Sequence, residues 1–171
     1  AWVLLGLEAL NFANEGKLVI AVAREAAEAA LAQLECLQAA GLAMPLSINI
    51  SAQQLRHDIL LLLIRGAMSC HDLSPADIEL EVTESTAMQN MALISEQLIS
   101  LQQLGIRIAI DDFGTGYSNF EYLVKLQADF IKIDGSLIKN VHKNAIHKAV
   151  VEAIVTFAQK VGMQTVAEFV A

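Results

Sequence analysis

Asn49, Glu81, Asp111, Asp112, Lys132 and Glu168 are the residues of this chain whose types and spacing could do chemistry. Each stands at or near the C-terminal end of a short run that alternates apolar and polar residues, and, with the adjacent Asp pair counted from Asp111, successive positions lie 21 to 36 residues apart, about one strand-helix unit. In an α/β barrel the C-terminal rim of the strands is where ligands sit, so groups distant in sequence would converge on one point. One carboxylate at a strand end is ordinarily a solvated cap. The set reads differently. Except for Asp112, its members occupy the face opposite the Ile, Val and Leu stripe, which in a parallel barrel is the face turned into the lumen. Several carboxylates crowded there repel one another, and burying them without a counter-charge is costly. A divalent cation resolves the conflict. An all-oxygen set of Asp, Glu and an Asn amide suits Mg²⁺ or Mn²⁺ rather than zinc. With one lysine beside it, such an ion points to phosphoryl chemistry, and two adjacent Asp residues invite a second ion.

The elements that must position these groups are legible as periodicities. Pro45 to Ser51 alternates strictly and predicts a strand, as do Ile78 to Thr83, Ile106 to Asp112, Phe130 to Asp134 and Gln164 to Glu168. Helical spacing predicts helices between them. The first spans about Ala23 to Ala40; the second carries Leu55, Ile59 and Leu62 and stops near Gly66. The third carries Ile94, Leu98, Leu101 and Leu104 before Gly105; the last carries Ile146, Val150, Ile154, Phe157 and Val161 before Gly162. A shorter helix follows the Gly114 to Ser118 turn. Short strands alternating with helices predict an α/β fold with a parallel sheet.

Composition narrows the function classes. Of 171 residues, 55% are hydrophobic and 18% charged, which supports a packed core and one domain. The net charge of −8 has the wrong sign for polymeric nucleic acid. The longest apolar runs, Leu18 to Ala23 and Ile59 to Ile64, are six residues each, far short of the ~20 of a membrane span, so no membrane insertion of this segment is expected. Cys36 and Cys70 form no CxxC pair, and His57, His71, His142 and His147 fall on helices or linkers, so a disulfide framework and a zinc site are both disfavoured. A cytoplasmic setting is the default.

Asp111-Asp112-Phe113-Gly114-Thr115-Gly116-Tyr117-Ser118, preceded by Asn49-Ile50-Ser51 and Glu81-Val82-Thr83-Glu84-Ser85 and followed by Lys132-Ile133-Asp134, resembles the EAL domain of bacterial cyclic di-GMP phosphodiesterases. Glu8-Ala9-Leu10 then reads as the motif that names that family. The resemblance implies a modified (β/α)8 TIM-type barrel that uses one or two Mg²⁺ or Mn²⁺ ions to hydrolyse cyclic di-GMP to linear pGpG in second-messenger signalling. Glu8, Asn49, Glu81 and Asp111 match the metal ligands, and Asp112 the second-metal ligand or water-orienting carboxylate. Lys132 matches the catalytic lysine. Glu168 matches the first Glu of an Ala-Glu-Gly-Val-Glu motif, the general base or second-metal ligand. Glu84 matches the anchor of the loop after the Asp pair; that loop, with Phe113, Gly114, Thr115, Gly116 and Tyr117, links metal site and dimer interface in the family.

The resemblance also implies a homodimer, and an adjoining GGDEF or sensory domain that would make this the cytoplasmic part of a larger sensor protein. Asn11-Phe12 stands where family members have an Arg-Trp pair, and Phe169-Val170-Ala171 follows Glu168, without the motif's second Glu. The spacing from Glu8 to Asn49 is shorter than in the family. The expectation is therefore a single EAL domain over 1–171, with stretches absent near 10–12 and after 168, since such a barrel takes ~250 residues. The missing Arg and Glu motivate the alternative of an inactive EAL-type receptor that binds cyclic di-GMP without cleaving it.

Overall fold

The computed structural model describes residues 10–13, 17–21, 45–55, 59–71, 73–88, 91–115 and 120–169. Among them lie seven strands: β1 (Leu10–Ala13), β2 (Lys17–Ala21), β3 (Leu46–Asn49), β4 (Ile78–Thr83), β5 (Arg107–Phe113), β6 (Phe130–Ile133) and β7 (Gln164–Ala167). They form one sheet in chain order. β1 pairs antiparallel with β2, and every later pair, from β2–β3 to β6–β7, is parallel. Parallel neighbours demand crossovers, and helices supply them. α1 (Ala52–Leu55) and α2 (Ile59–His71) join β3 to β4; α3 (Glu84–Met88) and α4 (Met91–Gln102) join β4 to β5. α5 (Phe120–Leu126) joins β5 to β6, and α6 (Gly135–Ile138) with α7 (Ala145–Val161) joins β6 to β7. Sequential parallel strands with helical crossovers, entered through an antiparallel strand, make the modified (β/α)8 type of fold that the sequence implied. The β1–β2 hairpin was not foreseen; its signal is Gly16 between two apolar runs.

The period-2 pattern explains the layering. Leu46, Ile48, Leu80, Val82, Ile108, Ile110, Ile131 and Ile133 share a buried cluster with Ile94, Leu98 and Leu101 of α4. Buried polar residues alternate with them along the strands: Ser47, Glu79, Glu81 and Lys132. Ser47 Oγ donates to Glu79 Oε1 at 3.3 Å, below the level of Glu81.

Two helices differ from expectation. α2 does not stop near Gly66 but runs on to His71. Space around Gly66 is open, and an exposed helical glycine costs only about 1 kcal/mol relative to alanine, so it does not break the helix. Leu62 is exposed, and the buried stripe is instead Leu60, Ile64 and Met68, spaced by four. In α7, Ile154 and Phe157 pack on the core as expected, joined by Val151, Val155 and Ala158, whereas Ile146, Val150 and Val161 are exposed, so the buried stripe is turned partly away from the expected one. Its C-terminal end falls at Gly162 as expected, and the N-terminal end is capped by Asn144. Asn144 Oδ1 accepts from the Ile146 and His147 amides, and Gly162 closes the helix at φ 82°. Helix 23–40 and Cys36 lie outside the described residues, and Cys70 is exposed. No helix among the described residues is long and apolar enough to cross a membrane.

At the N-terminal edge of the sheet, Asp129 ties three strands together. Its amide donates to Ile108 O at 2.9 Å, its Oδ2 accepts from the Ile108 amide at 2.8 Å, and the Gln164 amide donates to its carbonyl at 2.9 Å. Asp129→Ala removes the carboxylate acceptor and leaves the Ile108 amide without it. The expected loss is about 1–2 kcal/mol, read as a lower urea midpoint with unchanged slope. An unchanged midpoint would remove Asp129 from the list of strand ties.

Candidate active site

Strand register brings the predicted residues to one end of the sheet. Asn49 pairs with Glu81 across β3–β4, and Thr83 with Asp111 across β4–β5. Lys132 projects from β6 on the same face, and Glu168 follows β7, its amide donating to Ile133 O at 3.2 Å. The result is a cation surrounded by acids. Lys132 Nζ lies 2.9 Å from Asp111 Oδ1, 3.1 Å from Glu168 Oε1 and 3.2 Å from Glu81 Oε2. The lysine side chain is 9% exposed and that of Glu81 1%.

Burial and charge set the proton affinities. Burial works to lower the Lys132 pKa, but Glu81, Asp111 and Glu168 outweigh it and hold the ammonium above the usual lysine range. Glu81 is raised from 4.5, first by burial and then by Asp111, against the lowering pull of Lys132. Glu168 is raised for the same reasons, with Asp112 adding to the repulsion. Burial, then Asp111 and Asp134, raise Asp112 above 3.8. Excess negative charge at this point is thus unrelieved by the single lysine.

Asp112 reaches the site by an irregularity. Ile110 pairs with Ile131 but Phe113 pairs with Ile133, so β5 carries one residue more than β6 between those points. Asp112 sits in that bulge at φ 55°. Alternation alone would turn it to the helix side; the bulge turns it back. Asp111, Asp112 and Glu168 each offer an oxygen within 4.8 Å of the others.

The following turn is held from β4. Glu84 is buried, and its Oε2 accepts from the Gly114 amide at 3.1 Å. Gly114 has φ 102°, and a Cβ there would lie 2.5 Å from Leu137 Cδ1, so only glycine serves. Thr115 Oγ1 donates to Asp112 O at 3.1 Å, and the buried Phe113 ring meets Phe120 edge-on at 5.9 Å. Behind it the Tyr122 hydroxyl is held well above its usual pKa, by burial and then by Glu84. Glu8, Gly116 and Tyr117 lie outside the described residues. Sequence reasoning passed over Asp134, whose charge bears on Asp112 and which caps α6 through the Ser136 amide at 2.8 Å. Its signal was the Lys-Ile-Asp alternation, which sets it on the Lys132 face. Glu79, one layer deeper, was also passed over.

The donor set fits a hard divalent cation. The carboxylates of Asp111, Asp112 and Glu168 converge, burial and then neighbouring negative charge raise the proton affinities of Asp112 and Glu168, and Glu81 Oε1 is buried without accepting a hydrogen bond from the described residues.

Comparison with known proteins bears directly on this site. The model of the EAL domain family matches residues 7–171. The chain belongs to the EAL domain family. It is 34% identical over 161 residues to the signaling protein YkoW of Bacillus subtilis, covering 94% of this chain and 20% of that protein. It is 40% identical over 123 residues to the bifunctional diguanylate cyclase/cyclic di-GMP phosphodiesterase MucR of Pseudomonas aeruginosa, covering 72% of this chain and 18% of MucR. The solved MucR phosphodiesterase in complex with c-di-GMP superposes with a TM-score of 0.80 at 36% identity, over 86% of this chain and 60% of that one. The manganese and cyclic di-GMP complex of Klebsiella pneumoniae BlrP1 superposes with a TM-score of 0.79 at 28% identity, over 86% of this EAL domain and 38% of that chain. This EAL domain spans about a fifth of the length of the curated relatives it matches.

Proposed function

We propose that this EAL domain is a metal-dependent phosphodiesterase that hydrolyses one phosphodiester of cyclic di-GMP to give linear pGpG. The observation that carries the reading is the Lys132 ammonium held by Glu81, Asp111 and Glu168 beside a cation-competent trio of Asp111, Asp112 and Glu168. Asn49, Glu81 and Asp111, joined by Glu8, are the ligands of a Mg²⁺ or Mn²⁺ ion; Asp112 and Glu168 serve a second ion or the attacking water. When bound, such ions polarise the phosphoryl oxygens and lower the pKa of water.

The chain's own groups supply the rest. Lys132, held in its charged form, donates to a phosphate oxygen as negative charge grows there, and it is too basic to accept a proton at neutral pH. Glu168 is the better base, because its raised pKa brings it nearer the working pH. It takes a proton from the water whose oxygen bonds to phosphorus; the P–O3′ bond breaks and the released O3′ ends as a hydroxyl. Glu84, gripping Gly114, keeps the Asp pair aimed. As part of the same reading, residues 1–171 act as one domain, as a homodimer in the cytoplasm and beside a cyclase or sensory domain. The bifunctional name of MucR supports the last point.

The purified protein with Mn²⁺ is expected to convert cyclic di-GMP to pGpG, separated by anion-exchange chromatography, and EDTA is expected to stop it. Tight binding with no product after prolonged incubation would replace the enzyme by a cyclic di-GMP receptor.

A further inference from the structure

We infer that Phe169 and Lys139 form a base-recognition subsite at the rim of the site, in which a purine of the nucleotide stacks on the Phe169 ring. The inference rests on the cyclic di-GMP reading above and deepens it. Phe169 directly follows Glu168, and its ring lies against Gly135, the residue after Asp134, whose charge bears on Asp112; the ring therefore adjoins the acidic site. It is 68% exposed, and its backbone has φ 52°. A bulky residue in the left-handed region is strained, and such strain persists where the surroundings enforce it, commonly at ligand sites. Glycine, which the matching motif carries at this point, would adopt the same backbone freely. This chain bears the strain and presents an aromatic ring.

The ring is also placed by its neighbours. Gly135, the first residue of α6, is buried against it: a Cβ there would stand 3.0 Å from ring Cγ and 3.1 Å from Cε2. Lys139, at the far end of that one-turn helix, sets its Nζ 4.4 Å from the ring centroid. The segment that buries Lys132 among the carboxylates therefore continues, within seven residues, to the cation over the ring.

Chemistry selects the occupant. An exposed cation over an aromatic face is held weakly, whereas a nucleobase stacked on that face is held more strongly, so a base displaces the ammonium from the ring. The freed Lys139, a donor only, then suits the O6 and N7 acceptors of guanine better than the N6 amino group of adenine.

The test is a pair of titrations and a steady-state assay on the metal-loaded protein. Phe169→Gly, which relieves the backbone, and Phe169→Leu, which keeps bulk without a ring, are expected to raise the Kd and KM for cyclic di-GMP about tenfold, with the loss in KM rather than kcat. Phe169→Trp should restore both. Lys139→Gln is expected to narrow the preference for cyclic di-GMP over cyclic di-AMP by about threefold. If the unaltered protein hydrolyses cyclic di-GMP while Phe169→Gly and Phe169→Leu bind it equally well, the subsite is wrong and the phosphodiesterase stands. If no hydrolysis occurs but binding depends on the Phe169 ring, the subsite stands and the catalytic reading falls. Absence of any cyclic di-GMP binding by the unaltered protein overturns both.

Discussion

Lys132→Met is expected to destabilise the metal-free protein by about 3–5 kcal/mol, a fall in Tm of roughly 10 °C, and to lower turnover of cyclic di-GMP at least ~100-fold. Among the described residues, three carboxylates, those of Glu81, Asp111 and Glu168, share this one ammonium as their ion-pair partner. Methionine keeps the volume and removes the charge, leaving acids in a low-dielectric pocket. The pH dependence follows from the direction of the shifts. Lys132 has a folded pKa above 10.5, so its contribution is complete below pH 10.5 and is lost only as pH climbs through the raised folded value. Glu81 and Glu168 have folded values above 4.5, so their protonated forms favour the folded state below that pH, and this is lost as pH rises through the raised values. The variant should therefore suffer most between the carboxylate and lysine ranges and least in acid. Mn²⁺ should return much of the Tm, because a cation again neutralises the acids, but not the turnover. A Mn²⁺-loaded Lys132→Met protein that turns over normally would reduce the lysine to a structural counter-charge. Scanning calorimetry with EDTA or Mn²⁺, beside product analysis, separates the two roles.

Asp111→Asn is expected to abolish the Mn²⁺-dependent rise in Tm and to cut turnover by ~100-fold or more. Substitution of groups that merely support metal ligands already costs about 10–100-fold, and Asp111 is placed to be a ligand itself. It touches Lys132 at 2.9 Å and belongs to the trio within 4.8 Å. The asparagine is isosteric, so the fold should survive and the metal-free Tm should change little or rise, one repelling charge having gone. In the unaltered protein, the Mn²⁺ shift should grow with pH. Glu81, Asp112 and Glu168 carry raised pKa values, the metal binds their ionised forms, and protons must leave before it enters. The shift should be small near pH ~5 and full near pH ~8. A pH-independent shift, or one retained in Asp111→Asn, would mean that Mn²⁺ binds somewhere else.

Legibility in the sequence followed the range of the forces involved. Side-chain alternation is a property of each strand's own covalent geometry, so Glu81, Asp111 and Lys132 could be assigned to one face, while Leu80, Val82, Ile110 and Ile131 marked the other. The helix end at Gly162 was equally plain. The run of α2 through Gly66 and the turned stripe of α7 were not, because packing against the sheet, rather than one residue's propensity, decides both.

By itself, then, the order of residues determined the strand-helix alternation, the family, and which acids share a face with Lys132, all consequences of local periodicity and motif. Only the tertiary structure decided that Asp112 joins Asp111, because the bulge exists in the mismatch between β5 and β6. It also decided that one lysine is shared by three carboxylates from three other strand ends, and that Phe169 holds a left-handed backbone under Lys139. Those are contacts across chain separations, and their energies depend on distances that no single stretch of sequence contains.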